Sequence, residues 1–303
     1  MPVDPQFSGI LAMLKTVPPA RVMPLELVRT QPFPEGPVTP VAKVEDTEFP
    51  SAAGPIAVRI YTPREASALP LLVFFHGGGF VVGGLNSHDE IARELAVAGD
   101  CIVVSVVYRL APEHPFPAAS DDSVAAVRWA VKHAGNIGAD PSRVAVCGDS
   151  AGGNLAAVAA LRLRDAGDPP LAAQLLIYPV TDLASPREGS MAETGEGFYI
   201  TQDDMDFFFE SYAGTNDPAD PHISPLHAAS LANLPPALVV TGECDPLRDQ
   251  GQAYAERLAN AGVATELAHY DGAIHGFLTF PGEMGREAVH HAGTWLKKMF
   301  AGQ

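Results

Sequence analysis

Gly148-Asp149-Ser150-Ala151-Gly152 stands between an apolar run at 143–147 and an Ala/Leu-rich segment at 154–163. A short, mostly β-branched run, a glycine-rich corner and a helical pattern read as strand–turn–helix. In that setting Gly-x-Ser-x-Gly is a nucleophile elbow, a turn so tight that the serine is presented at its tip. Glycines flank the serine because a side chain there would collide with the neighbouring strand and helix. Three fixed positions in five are a weak signal alone, so the rest of the chain has to supply the partners such a serine needs.

The surrounding chain alternates between strands and helices. Residues 44–49 and 56–61 read as an antiparallel hairpin around Ala53-Gly54-Pro55, and 71–75 as a buried strand ending in His76-Gly77-Gly78-Gly79-Phe80. A helix at 88–98, a strand at 101–107, a Pro-rich loop at 110–117, a helix at 118–133 and a strand at 143–147 lead into the elbow. After the elbow helix come a strand at 174–178, a strand at 237–242, a helix at 249–261, a strand at 264–269 and a helix at 284–300. This rhythm predicts an α/β fold, a mostly parallel eight-stranded sheet flanked by helices on both faces, with an antiparallel N-terminal edge. Ligands of such sheets bind beyond the carboxyl ends of the strands. The 76–80 loop, Ser150, Asp245 and His275 each fall just after a predicted strand, so four independent placements agree.

Two segments break the rhythm. Residues 1–43 carry nine prolines up to position 40, with short helical stretches at 6–16 and 23–29 that put Phe7, Ile10, Leu11 and Leu14 on one face. Residues 182–221 hold ten acidic residues against one arginine, plus an aromatic cluster on and before a helix at 202–211. The first reads as an arm and the second as an insertion, together capping a catalytic core of residues 44–181 and 222–303.

Composition removes several classes of function. A hydrophobic content of 47% with 18% charged residues supports a large core over 303 residues. A net charge of −17 disfavours nucleic acid and anionic membrane surfaces as partners. No run approaches the 18 apolar residues of a membrane span, and the N-terminus lacks a basic leader, so no membrane anchor is expected and cytoplasm is the expected compartment. Cys101, Cys147 and Cys244 show no metal-ligand or redox spacing, and core packing is their expected role. No metal and no cofactor is expected.

A serine hydroxyl needs a base, and the base needs an orienting group. His275, in a Gly-bracketed loop after the last strand, is the base candidate; His88 and His133 lie near helix ends, where a solvated or capping role is usual. For the acid, Glu243, Asp245 and Asp249 follow one strand. Asp249 reads as a helix-start acid and Glu243 as a supporting group, while Asp245 lies in the loop itself, stiffened by Pro246. The order Ser150, Asp245, His275 is the α/β-hydrolase order. Negative charge developing on a carbonyl oxygen needs preorganised N–H donors, which Ala151 and the three glycines can supply. A phosphate cradle is the competing reading of those glycines, and it lacks the GxxxxGK[ST] or GxGxxG spacing.

His76-Gly77-Gly78-Gly79-Phe80, the stretch from Tyr108 to His114, Gly148 to Asn154, Asp245 to Asp249 and His275-Gly276-Phe277 together resemble the bacterial hormone-sensitive-lipase family of carboxylesterases, in its GDSAG subgroup. The likeness runs from about residue 70 to 280, in order and spacing; the cap segments match only in position and character. It implies Ser150, Asp245 and His275 as the catalytic triad and the amides of Gly78, Gly79 and Ala151 as the oxyanion hole. It also implies hydrolysis of short- to medium-chain acyl esters through an acyl-enzyme. Phe80 stands where that family often has Trp, and it joins Tyr199 and Phe207 as a substrate-facing candidate. Arg109 is expected to bridge loops. The expected partner is a small-molecule ester; a homodimer is admissible, since dimers are common for this architecture, but no interface is legible. The competing readings are an amide or formamide hydrolase on the same triad, a hydrolase-fold receptor without catalysis, and a membrane-surface lipase.

Overall fold

A computed structural model describes residues 2–30 and 38–302. Its centre is an eight-stranded sheet: β1 (Lys43–Ser51), β2 (Gly54–Thr62), β3 (Leu69–Phe75), β4 (Ile102–Val106), β5 (Ala139–Asp149), β6 (Ala173–Ile177), β7 (Ala237–Cys244) and β8 (Thr265–Ile274). The order across the sheet is β1-β2-β4-β3-β5-β6-β7-β8. β1 and β2 are antiparallel, and every pair from β4 to β8 is parallel. The expected architecture is borne out.

β3 explains why its sequence is a continuous apolar run. Leu71, Val73 and Phe75 face one side and Leu72 and Phe74 the other, all inaccessible to solvent. On the first side pack α4 (Ala118–His133), α5 (Ala151–Ala166) and α8 (Arg248–Asn260); on the second pack α3 (Asp89–Gly99) and α9 (Glu283–Ala301). The three cysteines are buried in these layers, and burial pushes the Cys101 and Cys147 thiols up.

Boundaries shift where burial is one-sided. β5 begins at Ala139 rather than 143, through an irregularity opposite Leu69–Leu71, because the polar stretch before Val144 hides the strand's start. β8 runs to Ile274 rather than 269, since as the edge strand it is largely exposed and carries few apolar residues. The hairpin turns at Ala52 and Ala53, one residue earlier than expected, and Gly54 already pairs with Ser51.

The arm forms a 3₁₀ turn, Pro5–Phe7, then α1 (Ser8–Leu14) and α2 (Leu25–Arg29), shorter than the expected stretches. Residues 31–37, in the arm's second half, lie outside the described residues. Phe7 is buried with Ile10 and Leu11 against it, and the Asp4 N–H donates to the Gly272 carbonyl at 3.0 Å. Within 182–221 lie α6 (Ser190–Thr194), which no apolar periodicity announces, and α7 (Gln202–Ala213), opened by a Thr201–Asp204 capping box. Met205, Phe208, Phe209 and Tyr212 form the buried face of α7.

Arm and insertion meet directly. The Ala20 N–H donates to Asp204 at 2.7 Å, and Arg21 pairs with Asp203 at 3.2 Å and Glu210 at 3.0 Å. Arg29 ties the arm to the core through Glu113 and the carbonyls of Val81 and Ala111. Between arm and insertion lies a cavity of about 250 Å³, lined among others by Leu14, Val17, Met23, Val28, Phe198 and Tyr199. Among the described residues no helix is long and apolar enough to cross a membrane.

Candidate active site

Ser150 sits at φ +55°, ψ −118°, between the end of β5 and the start of α5. That conformation costs an L-residue about 1–3 kcal/mol and persists only where its surroundings fix it. Here the Ser150 N–H donates to the Ile177 carbonyl at 2.8 Å, while its own carbonyl accepts from Asn154 and Val180. A Cβ on Gly148 would strike the Gly152 backbone, and one on Gly152 would strike the Phe75 carbonyl. The glycines of the motif are therefore imposed by close backbone approach.

His275 follows β8 directly, and Asp245 follows β7. The His275 Nε2 lies 3.0 Å from Ser150 Oγ, and its Nδ1 lies 2.9 Å from Asp245 Oδ2. All three side chains are buried, Asp245 completely. The other Asp245 oxygen accepts the Leu247 N–H at 2.7 Å, which fixes the carboxylate in its own loop. With Nδ1 held by a carboxylate, Nε2 is free to take the serine proton. Glu243 goes elsewhere: it accepts the Gly272 N–H at 2.7 Å and so braces the end of β8 that leads to His275. Asp249, in the first turn of α8, accepts the Ser190 N–H at 2.7 Å and fastens the insertion to the core.

On the opposite side, the loop after β3 turns through Gly78 at φ +116° and Gly79 at φ +58°. The N–H groups of these two glycines meet no acceptor among the described residues. That of Ala151 lies in the first turn of α5, where a helix offers none. Ser150 thus stands at a helix N-terminus with its hydroxyl hydrogen-bonded to a buried histidine.

A family model described as the alpha/beta hydrolase fold matches residues 72–279. The chain belongs to the α/β-hydrolase family. Its hormone-sensitive-lipase-like character, expected from the motifs, is borne out by its relatives. Esterase LipI of Mycobacterium tuberculosis is 45% identical over 261 residues, 84% of this chain and 81% of that one. An ethyl acetate hydrolase of Pseudomonas putida is 44% identical over 230 residues, 74% of this chain and 71% of that one. Among solved structures, a hyperthermophilic esterase from the archaeon Pyrobaculum calidifontis superposes with a TM-score of 0.93 at 40% identity, covering 99% of both chains.

The hydrolase places its aromatic candidates unequally. Tyr199 lines the cavity under the arm, with its ring 6.5 Å from that of His275. Phe207 is half-buried beside Arg21, whose guanidinium lies over its ring. Phe80 is fully buried and stacked on Tyr212, rings 3.7 Å apart and 5° from parallel. It faces the α7 packing layer, so its place is to hold the insertion on the loop below; its partner, distant in sequence, gave no signal. Phe208 covers the same loop, and a Cβ on Gly79 would enter its ring. Arg109 does not bridge two loops as expected: its guanidinium ties its own loop to α4, gripping Asp122 and the Ala118 carbonyl. Tyr108 donates to the His76 carbonyl at 2.8 Å and stacks on that ring.

His88 departs from expectation. It stands at the N-cap position of α3, but its side chain makes no capping bond and is not solvated; it is buried, 3.3 Å from Asp149. Asp149 in turn accepts the Gly77 N–H at 2.8 Å. The available signal was a histidine four residues after the Gly83-Gly84 pair, facing an acid inside the elbow motif.

Proposed function

We propose that this hydrolase is a serine carboxylesterase for esters of short- to medium-chain acyl groups. The observation that carries the reading is the buried line from Asp245 through His275 to the Ser150 hydroxyl, with contacts of 2.9 and 3.0 Å. Ser150 Oγ attacks the ester carbonyl as His275 takes its proton, and His275 then returns that proton to the leaving alcohol. Water repeats the sequence on the acyl-enzyme and releases the acid. The amides of Gly78, Gly79 and Ala151 receive the negative charge that develops on the carbonyl oxygen. This chemistry calls for no cofactor.

The arm, residues 1–43, and the insertion, 182–221, act as a cap over the core. Their mutual hydrogen bonds and ion pairs support this division. Tyr199 and Phe207 face the substrate, and the 250 Å³ cavity beside Tyr199 suits a compact apolar group. A relative named for ethyl acetate hydrolysis favours the short end of the range.

The test is a chain-length series of p-nitrophenyl esters on the wild type and Ser150→Ala. The variant is expected to lose on the order of 10⁴–10⁶ in kcat. Turnover retained in Ser150→Ala sinks the mechanism.

A further inference from the structure

We propose that Asp149 and His88 form a positioning pair that locks the Gly77–Gly79 loop to the serine elbow, so that donors and nucleophile are held as one body. The inference rests on the esterase reading for its kinetic consequence, though not for its geometry.

Asp149 immediately precedes Ser150, and its carboxylate is almost fully buried. One oxygen accepts the Gly77 N–H at 2.8 Å, one residue before the two proposed oxyanion glycines. A Cβ on Gly77 would collide with this carboxylate, so the glycine leaves the space that the carboxylate fills. The His88 Nε2 lies 3.3 and 3.4 Å from the two carboxylate oxygens and 3.2 Å from the Gly77 nitrogen. Its Nδ1 meets the Ser87 hydroxyl at 2.8 Å, and that hydroxyl accepts the Gly84 N–H at 3.0 Å. The loop is therefore gripped at both ends, at Gly77 directly and at Gly84 through Ser87 and His88. The triad uses none of these groups.

Charge gives a second reason for the pair. A buried carboxylate beside the point where a negative charge develops would oppose the reaction in a low-dielectric site unless it is compensated. His88 and the Gly77 amide face it. Burial, the largest single cause, would raise the Asp149 pKa, but His88, His76 and the Gly77 amide together outweigh it and the carboxyl lies below its usual range. The carboxylate accordingly acts as a clasp on an amide, in a charge-assisted hydrogen bond stronger than a neutral one.

Wild type, Asp149→Ala, Asp149→Asn and His88→Gln are compared by kcat per titrated active site, KM and affinity for a reversible trifluoromethyl ketone. Asp149→Ala should lose on the order of 10² in kcat per site, the scale of a misplaced reacting geometry. KM should stay within about threefold, and ketone affinity should fall in step with kcat/KM. Asp149→Asn keeps an oxygen for the Gly77 amide and should recover most of the loss; His88→Gln should lose about three- to tenfold in the same sense. Full kcat per site in Asp149→Ala overturns the pair, as does a loss that leaves ketone affinity intact. If Asp149→Ala does not fold, unchanged kinetics in His88→Gln overturns it. Hydrogen exchange over 76–84 needs no turnover: protection unchanged in His88→Gln, and in Asp149→Ala where it folds, would refute the clasp even if the esterase reading itself fell.

Discussion

Asp245 and Glu243 lie two residues apart and meet different groups, one the His275 imidazole and the other the Gly272 amide. Their truncations should therefore diverge. Asp245→Ala is expected to lower kcat by on the order of 10⁴, because the histidine loses its orienting carboxylate. Glu243→Ala should lower the melting temperature while leaving kcat within about tenfold; equal losses would reverse this division of roles. His76 makes a prediction about pH. Burial, the largest cause, pushes it down to about 4, so the folded protein holds it neutral while the unfolded chain protonates it near 6.5. Its contribution is complete above pH 6.5 and declines as pH falls towards 4, by about 3 kcal/mol in all. In urea titrations, the stability gap between wild type and His76→Gln should narrow by that amount between pH 7 and 4. A constant gap would remove the assignment.

At the scale of elements, α7 matters for what it rests on. Tyr212 stacks on Phe80 and its carbonyl accepts the Phe116 N–H at 2.8 Å, while Phe208 lies over Gly79. The insertion is thus packed on the loop that carries the proposed oxyanion donors. Tyr212→Ala should cost about 3–5 kcal/mol as a large buried ring is deleted. Tyr212→Phe should be neutral or slightly stabilising, because the buried hydroxyl has no partner among the described residues. Thermal melts of the two variants decide it, and a large loss in Tyr212→Phe would show a missed polar contact. This layer was illegible in the sequence for a physical reason. The aromatic run at 207–209 marked a helix of the insertion, but nothing local states which loop that helix covers.

For the molecule as a whole, legibility followed burial and punctuation. β3 could be read because both its faces are covered, and Ser150, Asp245 and His275 because each is a polar residue in a Gly- or Pro-marked turn after an apolar run. β8 was cut short because an exposed edge carries little apolar signal, and α6 passed unseen because five residues hold no period. The Asp149–His88 contact was hidden because the two residues are brought together only by the parallel pairing of β3 with β5, strands that are not consecutive in the chain. The separations that hid these contacts also order the folding reaction. Ser150 and His275 are 125 residues apart, and Ala20 and Asp204 are 184 apart. Loop closure over such spans is slow and gains little until the sheet between them exists. Competence should consequently be the last property regained on refolding from urea, trailing intrinsic fluorescence, and simultaneous recovery of both signals would contradict this. A chain that reaches its fold by this route spends its most aggregation-prone interval with the sheet formed and the arm not yet laid across it.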